Sequence, residues 1–255
     1  MTVRELYQAL DKAIPASLSC EWDNDGLMCS PDLSAPVKRI LLTLDVSEAS
    51  VGYAVANKCD LIISHHPMIF RPLTSLTEEN FTARKALKCI MNGISVFSFH
   101  TRLDIVEGGV NDRLADMLGL ADITSFGDAE TPTIGRIGTV ETTSTEAFSA
   151  LVKEKLGVPS LQTVDFGKDI RCVALVGGDG KDFLKPALRA GADLYLTGSL
   201  SYNSMVDAAD LGLQVMEAGH FFTENPVLSV LDEMITSAYP EAEIFTFHSD
   251  PVIYR

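Results

Sequence analysis

The sequence has few of the residues and patterns that mark several classes of protein. Its 255 residues include only five cysteines, without a Cys-x-x-Cys pair, which argues against a disulfide framework or a thiolate zinc knuckle. No apolar run approaches the roughly 18 to 20 residues that span a bilayer, and the first residues lack the basic-then-apolar order of a signal peptide. We therefore expect a cytoplasmic protein with no membrane partner, whose cysteines are small buried hydrophobes.

Positive charge is also scarce. Lysine and arginine number 20 against 35 aspartates and glutamates, which gives a formal net charge of -15. A nucleic-acid partner requires a cationic footprint, so none is expected. Hydrophobic residues make up 46% of the chain, an ordinary fraction for a globular protein with a substantial core.

Helical and strand-like patterns alternate along the chain. Apolar residues at helical spacing predict helices at residues 2–14, 48–58, 80–91, 111–118 and 145–156. Short apolar runs predict strands at residues 37–44, 61–64, 94–99, 137–141 and 161–166. Strands that alternate with helices predict parallel pairing in an α/β fold. The stretch 119–134, rich in Asp, Thr and Gly, is a candidate domain boundary.

Two parts of the chain resemble each other. Residues 39–42, a helix and residues 59–64 match residues 171–175, a helix and residues 192–197, at about the same spacing. We interpret this match as a duplicated unit, which predicts two similar α/β lobes.

The end of each copy carries a histidine followed four residues later by an acid. Residues 93–100 lead to His100 and Asp104, and residues 212–220 lead to His220 and Glu224. A duplication would present His-x-x-x-acid at the same edge of each lobe, and one shared site could then lie between the lobes.

Histidines and carboxylates follow the predicted strands. His65 and His66 come directly after the apolar run 61–64, and Pro67 fixes the backbone behind them. Ligands bind at the carboxyl ends of strands in α/β sheets, and imidazoles with carboxylates are transition-metal ligands. Any one of these groups alone would be structural, but together they predict a metal site.

Neighbouring residues on an extended segment point to opposite sides. His65 and His66 therefore reach two different ions, or the chain turns between them. The first alternative favours a dinuclear site. Mixed nitrogen and oxygen ligands suit Zn, Mn, Fe, Co or Ni. Two such ions would lower the pKa of a bridging water, which favours hydrolysis over redox chemistry unless the ions are iron.

Two further segments allow two interpretations each. The backbone amides of Gly177-Gly178-Asp179-Gly180-Lys181 could cradle an anion such as a phosphate, or the segment is a tight turn. The segment Trp22-Asp23-Asn24-Asp25-Gly26-Leu27 lines a pocket, or it is a loop pinned by its aromatic ring.

Four motifs occur in a specific order along the chain. They are Trp-Asp-Asn-x-Gly-Leu at 22–27, Ile-Ile-Ser-His-His-Pro at 62–67, His-Thr-x-Leu-Asp at 100–104 and Gly-His-x-x-x-Glu at 219–224. With them the chain resembles, nearly end to end, the Nif-three-like proteins, whose members often carry the name GTP cyclohydrolase 1 type 2 homologue. The resemblance implies two similar, intertwined α/β lobes with mixed and parallel sheets flanked by helices, and a toroidal homohexamer. The chain is too short for the middle domain of longer relatives.

We place the metal-binding lobe at residues 1–125 plus about 220–255, and the second lobe at about 126–219. The resemblance implies two divalent transition-metal ions per subunit, with Asp104 and Glu224 as bridging ligands. The full ligand set that it implies is His65, His66, Asp104, His220 and Glu224. His100 matches a histidine close to the metals, which orients a ligand or acts catalytically by relaying a proton.

Three positions depart from the family pattern. Arg102 stands where many relatives have Asn, so the side chain that reaches toward a substrate is expected to differ. Ser199 and Asn203 stand where relatives often carry Asp and His. If these positions contact substrate, the specificity of this chain differs from that of its relatives.

The function expected from the resemblance is that of a metal-dependent hydrolase similar to GTP cyclohydrolase 1 type 2. An activated water would attack a purine nucleotide or a related small molecule, while His100 moves protons. One alternative is a phosphoesterase, because Ser64-His65-His66 resembles an Asp-His-His signature in which Ser replaces the leading Asp. The other alternative is a non-catalytic metal-binding or interaction protein.

Overall fold

Strands alternate with helices along most of the computed structural model, which describes residues 1–128, 131–248 and 250–254. The strands in this described part are β1 (Gly26–Cys29), β2 (Arg39–Thr43), β3 (Leu61–Ser64), β4 (Ser95–Ser98), β5 (Ala121–Phe126), β6 (Gly135–Thr143), β7 (Gln162–Val164), β8 (Ile170–Asp179), β9 (Leu194–Ser199), β10 (Gln214–Glu217) and β11 (Glu243–Phe247). The α-helices there are α1 (Val3–Ala13), α2 (Glu48–Ala56), α3 (Phe81–Met91), α4 (Thr101–Ile105), α5 (Val110–Met117), α6 (Thr145–Leu156), α7 (Leu184–Arg189), α8 (Tyr202–Leu211), α9 (His220–Glu224) and α10 (Val227–Ala238).

The chain forms two compact units. The first unit comprises Met1–Val106 and Val227–Ser249, and the second comprises Glu107–Pro226 and Asp250–Arg255. These bounds differ from the predicted lobes at 1–125 plus about 220–255 and about 126–219. The physical reason is that α5 packs on β6 and β8, while α9 packs on β8 and β9. His220 and Glu224 therefore belong to the second unit and not, as predicted, to the first.

The predicted boundary at 119–134 contains a strand. β5 pairs antiparallel with β6 and so belongs to the sheet of the second unit. The polar composition of the segment reflects its exposure, because β5 is a mostly exposed edge strand. Ala129 and Glu130, which also fall in the predicted boundary, lie outside the described residues.

The first unit is built on a five-stranded sheet in the order β1-β4-β3-β2-β11. β4, β3, β2 and β11 run parallel, and β1 pairs antiparallel with β4 at one edge. The three central strands are short runs that are almost fully buried, as strands covered on both faces require. α1 begins at a capping box, in which the Thr2 side chain accepts from the Glu5 amide and the Glu5 carboxylate accepts from the Thr2 amide.

The second unit is built on a six-stranded sheet in the order β5-β6-β8-β9-β10-β7. β8, β9 and β10 are parallel, and the remaining pairings are antiparallel. The predicted α/β class, with two mixed sheets flanked by helices, is therefore confirmed. Within the described residues, none of the helices has the length and apolar character needed to cross a bilayer.

Both units have the same hydrogen-bonding arrangement at the start of their parallel strands, in which an aspartate accepts from two backbone amides of a neighbouring strand. Asp60 precedes β3, and its Oδ2 accepts from the backbone amides of Lys38 (2.8 Å) and Arg39 (2.9 Å). Asp193 precedes β9, and its Oδ2 accepts in the same way from two backbone amides near the start of β8, at 3.0 and 2.8 Å. This shared detail supports the interpretation of a duplicated unit.

The two copies of the duplicated unit differ by one residue in the position of the histidine that follows the last parallel strand. His100 is the second residue after β4 ends at Ser98, and it is the N-cap of α4. His220 is the third residue after β10 ends at Glu217, and it is the first residue of α9, with Gly219 as the N-cap. The two histidines therefore do not occupy equivalent positions, contrary to the predicted alignment.

The cysteines are only partly as predicted. Cys59 and Cys89 are buried, and burial raises the pKa of each thiol to about 11. Cys20, Cys29 and Cys172 are half-buried, and burial raises their thiol pKa values as well. Because the thiolate is the reactive and metal-ligating form, all five side chains are poorly suited to either role at neutral pH.

The carboxylates of Asp60 and Asp193 should contribute to stability to a similar extent. Asp60→Ala and Asp193→Ala each leave two backbone amides without their acceptor, so each should lower the free energy of unfolding by about 1 to 3 kcal/mol. Asp207→Ala, in the exposed part of α8, should change it by less than about 0.5 kcal/mol. Urea unfolding followed by circular dichroism measures all three. A neutral result for either variant would contradict the structural role of that carboxylate.

Candidate metal centre

The carboxyl ends of β3 and β4 bring three histidines of the first unit together. His65 and His66 follow β3, and His100 follows β4. One ring nitrogen of each histidine lies within 4.8 Å of a ring nitrogen of the other two. The three ring centroids are 5.1, 5.3 and 5.7 Å apart. Such a group of imidazoles can hold a metal ion, and the strand ends place it where the sequence predicted ligands.

His65 is fully buried, and its tautomer is fixed by the backbone. Its Nδ1 lies 2.9 Å from the carbonyl oxygen of Phe99. Because a carbonyl oxygen only accepts hydrogen bonds, Nδ1 carries the proton and a neutral ring has its lone pair on Nε2. Nε2 lies 3.6 Å from Oδ1 of Asp104 in α4. His65 and Asp104 thus present a nitrogen and an oxygen side by side.

His66 is held by a carboxylate. Its Nδ1 lies 2.8 Å from Oδ1 of Asp45, and a metal-ligating histidine characteristically donates its second ring nitrogen in this way. The Ser64 hydroxyl donates to the His66 carbonyl at 2.8 Å. The chain turns here and brings the His66 ring within 5.1 Å of the His65 ring. Of the two alternatives for the histidine pair, the structure therefore shows the turn.

His100 is paired with a fully buried carboxylate. Its Nδ1 lies 2.9 Å from Oδ1 of Asp23. Oδ2 of Asp23 accepts from the hydroxyl (2.6 Å) and the amide (3.1 Å) of Thr101. Burial alone would raise the pKa of Asp23, but these hydrogen bonds and the charge of His100 outweigh burial and lower that pKa to about 2. Asp23 is therefore ionised at neutral pH and fixes the orientation of His100.

Arg102 is buried and bound by carboxylates of its own unit, so it differs from a side chain that extends toward a substrate. Its side chain is 1% exposed, and its Nε donates to Oδ2 of Asp25 at 3.1 Å while its Nη1 donates to Oδ1 of Asp11 at 2.6 Å. The guanidinium carbon lies 4.7 Å from the ring centroid of Phe99. Oδ2 of Asp25 also accepts from the His100 amide at 3.2 Å. Arg102 therefore anchors the loop that holds His100.

The second unit presents a histidine and a carboxylate one helical turn apart. In α9, Nε2 of His220 lies 2.8 Å from Oε2 of Glu224. The His220 side chain is 41% exposed, whereas that of Glu224 is 6% exposed. The packing of α9 on β8 and β9 fixes this pair at the carboxyl ends of two parallel strands.

A glycine near the end of β8 lies against that pair. Gly178 has a φ of +66°, and a Cβ atom there would overlap Oε1 of Glu224. Its amide donates to the Thr223 hydroxyl at 3.1 Å, and the Gly177 amide donates to Oδ1 of Asn111 at 2.7 Å. Because both amides are used inside the unit, they do not form the anion cradle considered for residues 177–181. Gly177 and Gly178 are strand residues near the end of β8, where its register with β9 shifts, and not a tight turn.

Ser199 and Asn203 also lie in the second unit. Ser199 is the last residue of β9 and is half-buried, and Asn203 is exposed in the first turn of α8. Their effect on specificity stays a prediction.

The carboxylates that hold the histidine rings were not identified from the sequence. Asp45 stands two residues after β2 ends at Thr43, the same strand-end position that His66 and His100 occupy after β3 and β4. That signal could have found it. Asp23 lies in a loop far from His100 along the chain, and its motif alone did not indicate the pairing.

Comparisons with known proteins agree with this architecture. The model of the family described as Duf34/NIF3 (NGG1p interacting factor 3) matches residues 1–251. The chain belongs to the Duf34/NIF3 family. The family predicted from the sequence motifs is thereby confirmed.

Curated relatives in the Duf34/NIF3 family carry a shared name. A Clostridium perfringens protein named GTP cyclohydrolase 1 type 2 homolog is 33% identical over 241 residues, which cover 92% of this chain and 91% of that protein. A Streptococcus pneumoniae protein of the same name is 34% identical over 227 residues, which cover 87% and 85%. The crystal structure of a Staphylococcus aureus hypothetical protein is 26% identical, with a TM-score of 0.89 over 100% of this chain and 99% of that chain.

Gly178 should tolerate no side chain. Gly178→Ala should displace the Glu224 carboxylate and lower the free energy of unfolding by about 1 to 3 kcal/mol beyond the strain of a positive φ. Gly157→Ala is the matched control, because Gly157 has a φ of +70° and no described atom lies within 4 Å of its ideal Cβ position. It should lose only about 1 to 2 kcal/mol. Urea unfolding compares the two, and equal losses would contradict the close approach of Glu224.

Proposed function

We propose that this Duf34/NIF3 protein binds two divalent transition-metal ions per subunit through the set His65, His66, Asp104, His220 and Glu224. The observation that carries the proposal is the His65 tautomer. With Nδ1 bound to the Phe99 carbonyl, a neutral His65 directs its Nε2 lone pair toward surroundings that include the Asp104 carboxylate, 3.6 Å away. Two buried acceptors at this separation are stabilised by a cation that both can bind.

The donor set fits such ions. Imidazole nitrogens and carboxylate oxygens suit Zn, Mn, Fe, Co or Ni. Of the Nδ1 atoms of His65, His66 and His100, one binds a carbonyl and two bind carboxylates, so each ring is already oriented for ligation through Nε2. Bound ions of this kind act as Lewis acids and make water a nucleophile near neutral pH.

The proposed activity is metal-dependent hydrolysis similar to GTP cyclohydrolase 1 type 2, with a purine nucleotide or related small molecule as substrate. The relatives' shared name supports this class. In this chain, Asp23 accepts the Nδ1 hydrogen of His100 and fixes the orientation of the ring. The pair can therefore hold or release a proton at Nε2, as a general acid or base does.

The phosphoesterase alternative gains no support from the contacts of Ser64. Its hydroxyl is buried and shares hydrogen bonds with the His66 carbonyl and the Ser98 hydroxyl, both at 2.8 Å. Ser64 thus closes the turn between the strand and the histidines and does not stand in for an acidic ligand. The homohexamer and the cytoplasmic location stay predictions.

Metal content should depend on the proposed ligands. Elemental analysis of anaerobically purified protein should find about two transition-metal ions per subunit in the wild type, and substantially less in His65→Ala and Asp104→Ala. His248→Ala removes an exposed histidine outside the set and should keep the wild-type content. Equal metal content in all four proteins would contradict the proposed ligand set.

Hydrolysis should separate the role of His100 from that of the ligands. With Zn or Mn and GTP, the wild type should release formate or a ring-opened product. His100→Ala should lower kcat by about 10²- to 10⁴-fold while its metal content is unchanged. Metal loss in His100→Ala would make His100 a ligand instead. Weakly held metal without turnover of GTP, p-nitrophenyl phosphate or cyclic dinucleotides would favour a non-catalytic metal-binding or interaction protein.

A further inference from the structure

Three aromatic rings of the first unit contact one another at large interplanar angles. The chain's single tryptophan, Trp22, lies with its ring centroid 6.1 Å from that of His100, and Phe70 lies 6.3 Å from His100 and 6.3 Å from Trp22. The interplanar angles are 76°, 88° and 63°. No two of these rings stack face to face, and each pair meets edge to face. We call Trp22, Phe70 and His100 the ring corner.

The rings of Trp22 and Phe70 are both accessible to solvent. Trp22 is 57% exposed and Phe70 is 36% exposed. Fully burying an aromatic side chain contributes about 1.5 to 3 kcal/mol, so a ligand that covers the exposed part of these two rings gains a fraction of that energy. Single exposed apolar residues are ordinary. Two exposed aromatic residues that both contact a candidate acid–base histidine form a surface suited to a planar aromatic ligand.

The ring corner is also held in place before any ligand binds. The Asn24 side-chain amide donates to the Ile69 carbonyl, which ties the residue after Asp23 to the residue before Phe70. Asp23 is fixed by its bonds to His100 and Thr101. Neighbours of both aromatic residues are thus anchored, and a preorganised surface loses little conformational entropy on binding.

A positive charge stands beside the corner. The Arg71 guanidinium lies 5.1 Å from the ring centroid of Phe70. In a chain of formal net charge -15, a guanidinium on an aromatic face is a local cue for an anion, since its planar fork binds phosphate and carboxylate.

We propose that the ring corner and Arg71 bind a planar heteroaromatic ring that carries an anionic substituent. Stacking on Trp22 or Phe70 places that ring beside the Asp23–His100 pair, and Arg71 binds the anionic group. This inference names the substrate class of the hydrolase proposed above and rests on that proposal only for its catalytic meaning. Open-chain phosphate esters lack the flat ring and bind less well.

Trp22 fluorescence reports on this site directly, because the chain has one tryptophan. The full chain is treated with EDTA, so that contacts between phosphate and metal do not contribute, and is titrated with guanosine 5′-monophosphate, guanosine and ribose 5-phosphate. The nucleotide should quench the fluorescence saturably, guanosine should bind several-fold more weakly, and ribose 5-phosphate should leave the fluorescence unchanged. Absence of saturable quenching by the nucleotide would overturn the proposal.

Phe70→Leu tests the corner against a matched control. It should weaken nucleotide affinity by about 5- to 100-fold, the loss expected for one stacking contact. Phe81→Leu is the control, because Phe81 is 67% exposed and carries the Lys85 ammonium 5.6 Å from its ring centroid, yet it lies in α3 and outside the ring corner. It should bind like the wild type. Equal losses in both variants, or a change of oligomeric mass in Phe70→Leu without a change of affinity, would overturn the proposal.

The two proposals fail separately. Nucleotide binding that depends on Phe70, in protein that turns over no GTP when loaded with metal, would support the ring corner and contradict hydrolysis. GTP turnover with the same KM in the wild type and Phe70→Leu would support hydrolysis and contradict the ring corner.

Discussion

The candidate metal centre depends on one hydrogen bond between the ends of two parallel strands. β3 and β4 pair in register up to Ser64 and Ser98, so the next residues of each strand emerge side by side. There the His65 ring donates Nδ1–H to the Phe99 carbonyl. A backbone carbonyl cannot donate in return, which leaves Nε2 as the coordinating atom of the neutral ring. The strand pairing thus determines the histidine tautomer, and the tautomer determines what the ring can bind.

The duplication provides similar sheets but not identical functional ends. Both units begin their parallel strands with a carboxylate that caps backbone amides, Asp60 in one and Asp193 in the other. At the far end, however, His100 precedes its helix while His220 lies within its helix. His100 consequently reaches a loop carboxylate, whereas His220 faces Glu224 one turn ahead. A shift of one residue has therefore given the two histidines different partners, which is a physical basis for different roles.

Much of this arrangement could be predicted from local patterns, because apolar runs, helix caps and strand ends are local features. β3 and α6 match their predicted bounds, and the grouping of His65, His66 and His100 follows from parallel pairing. The partners of the rings could not be predicted in this way. Asp23 meets His100 through tertiary folding, and Arg102 turns inward because two distant carboxylates bind it. Which way a side chain faces at a short helix depends on contacts that a single sequence does not reveal.

The two glycines near the end of β8 show the same limit of prediction from sequence. A glycine-rich segment between a strand and a helix indicates phosphate binding when its amides point outward. Here Asn111 and Thr223 accept from those amides, and the value of Gly178 lies in the absence of a Cβ atom beside Glu224. Composition alone does not separate a glycine needed for its amide from one needed for its small volume. That distinction requires knowing which atom occupies the space, and in this unit the atom is a carboxylate oxygen that belongs to a candidate ligand.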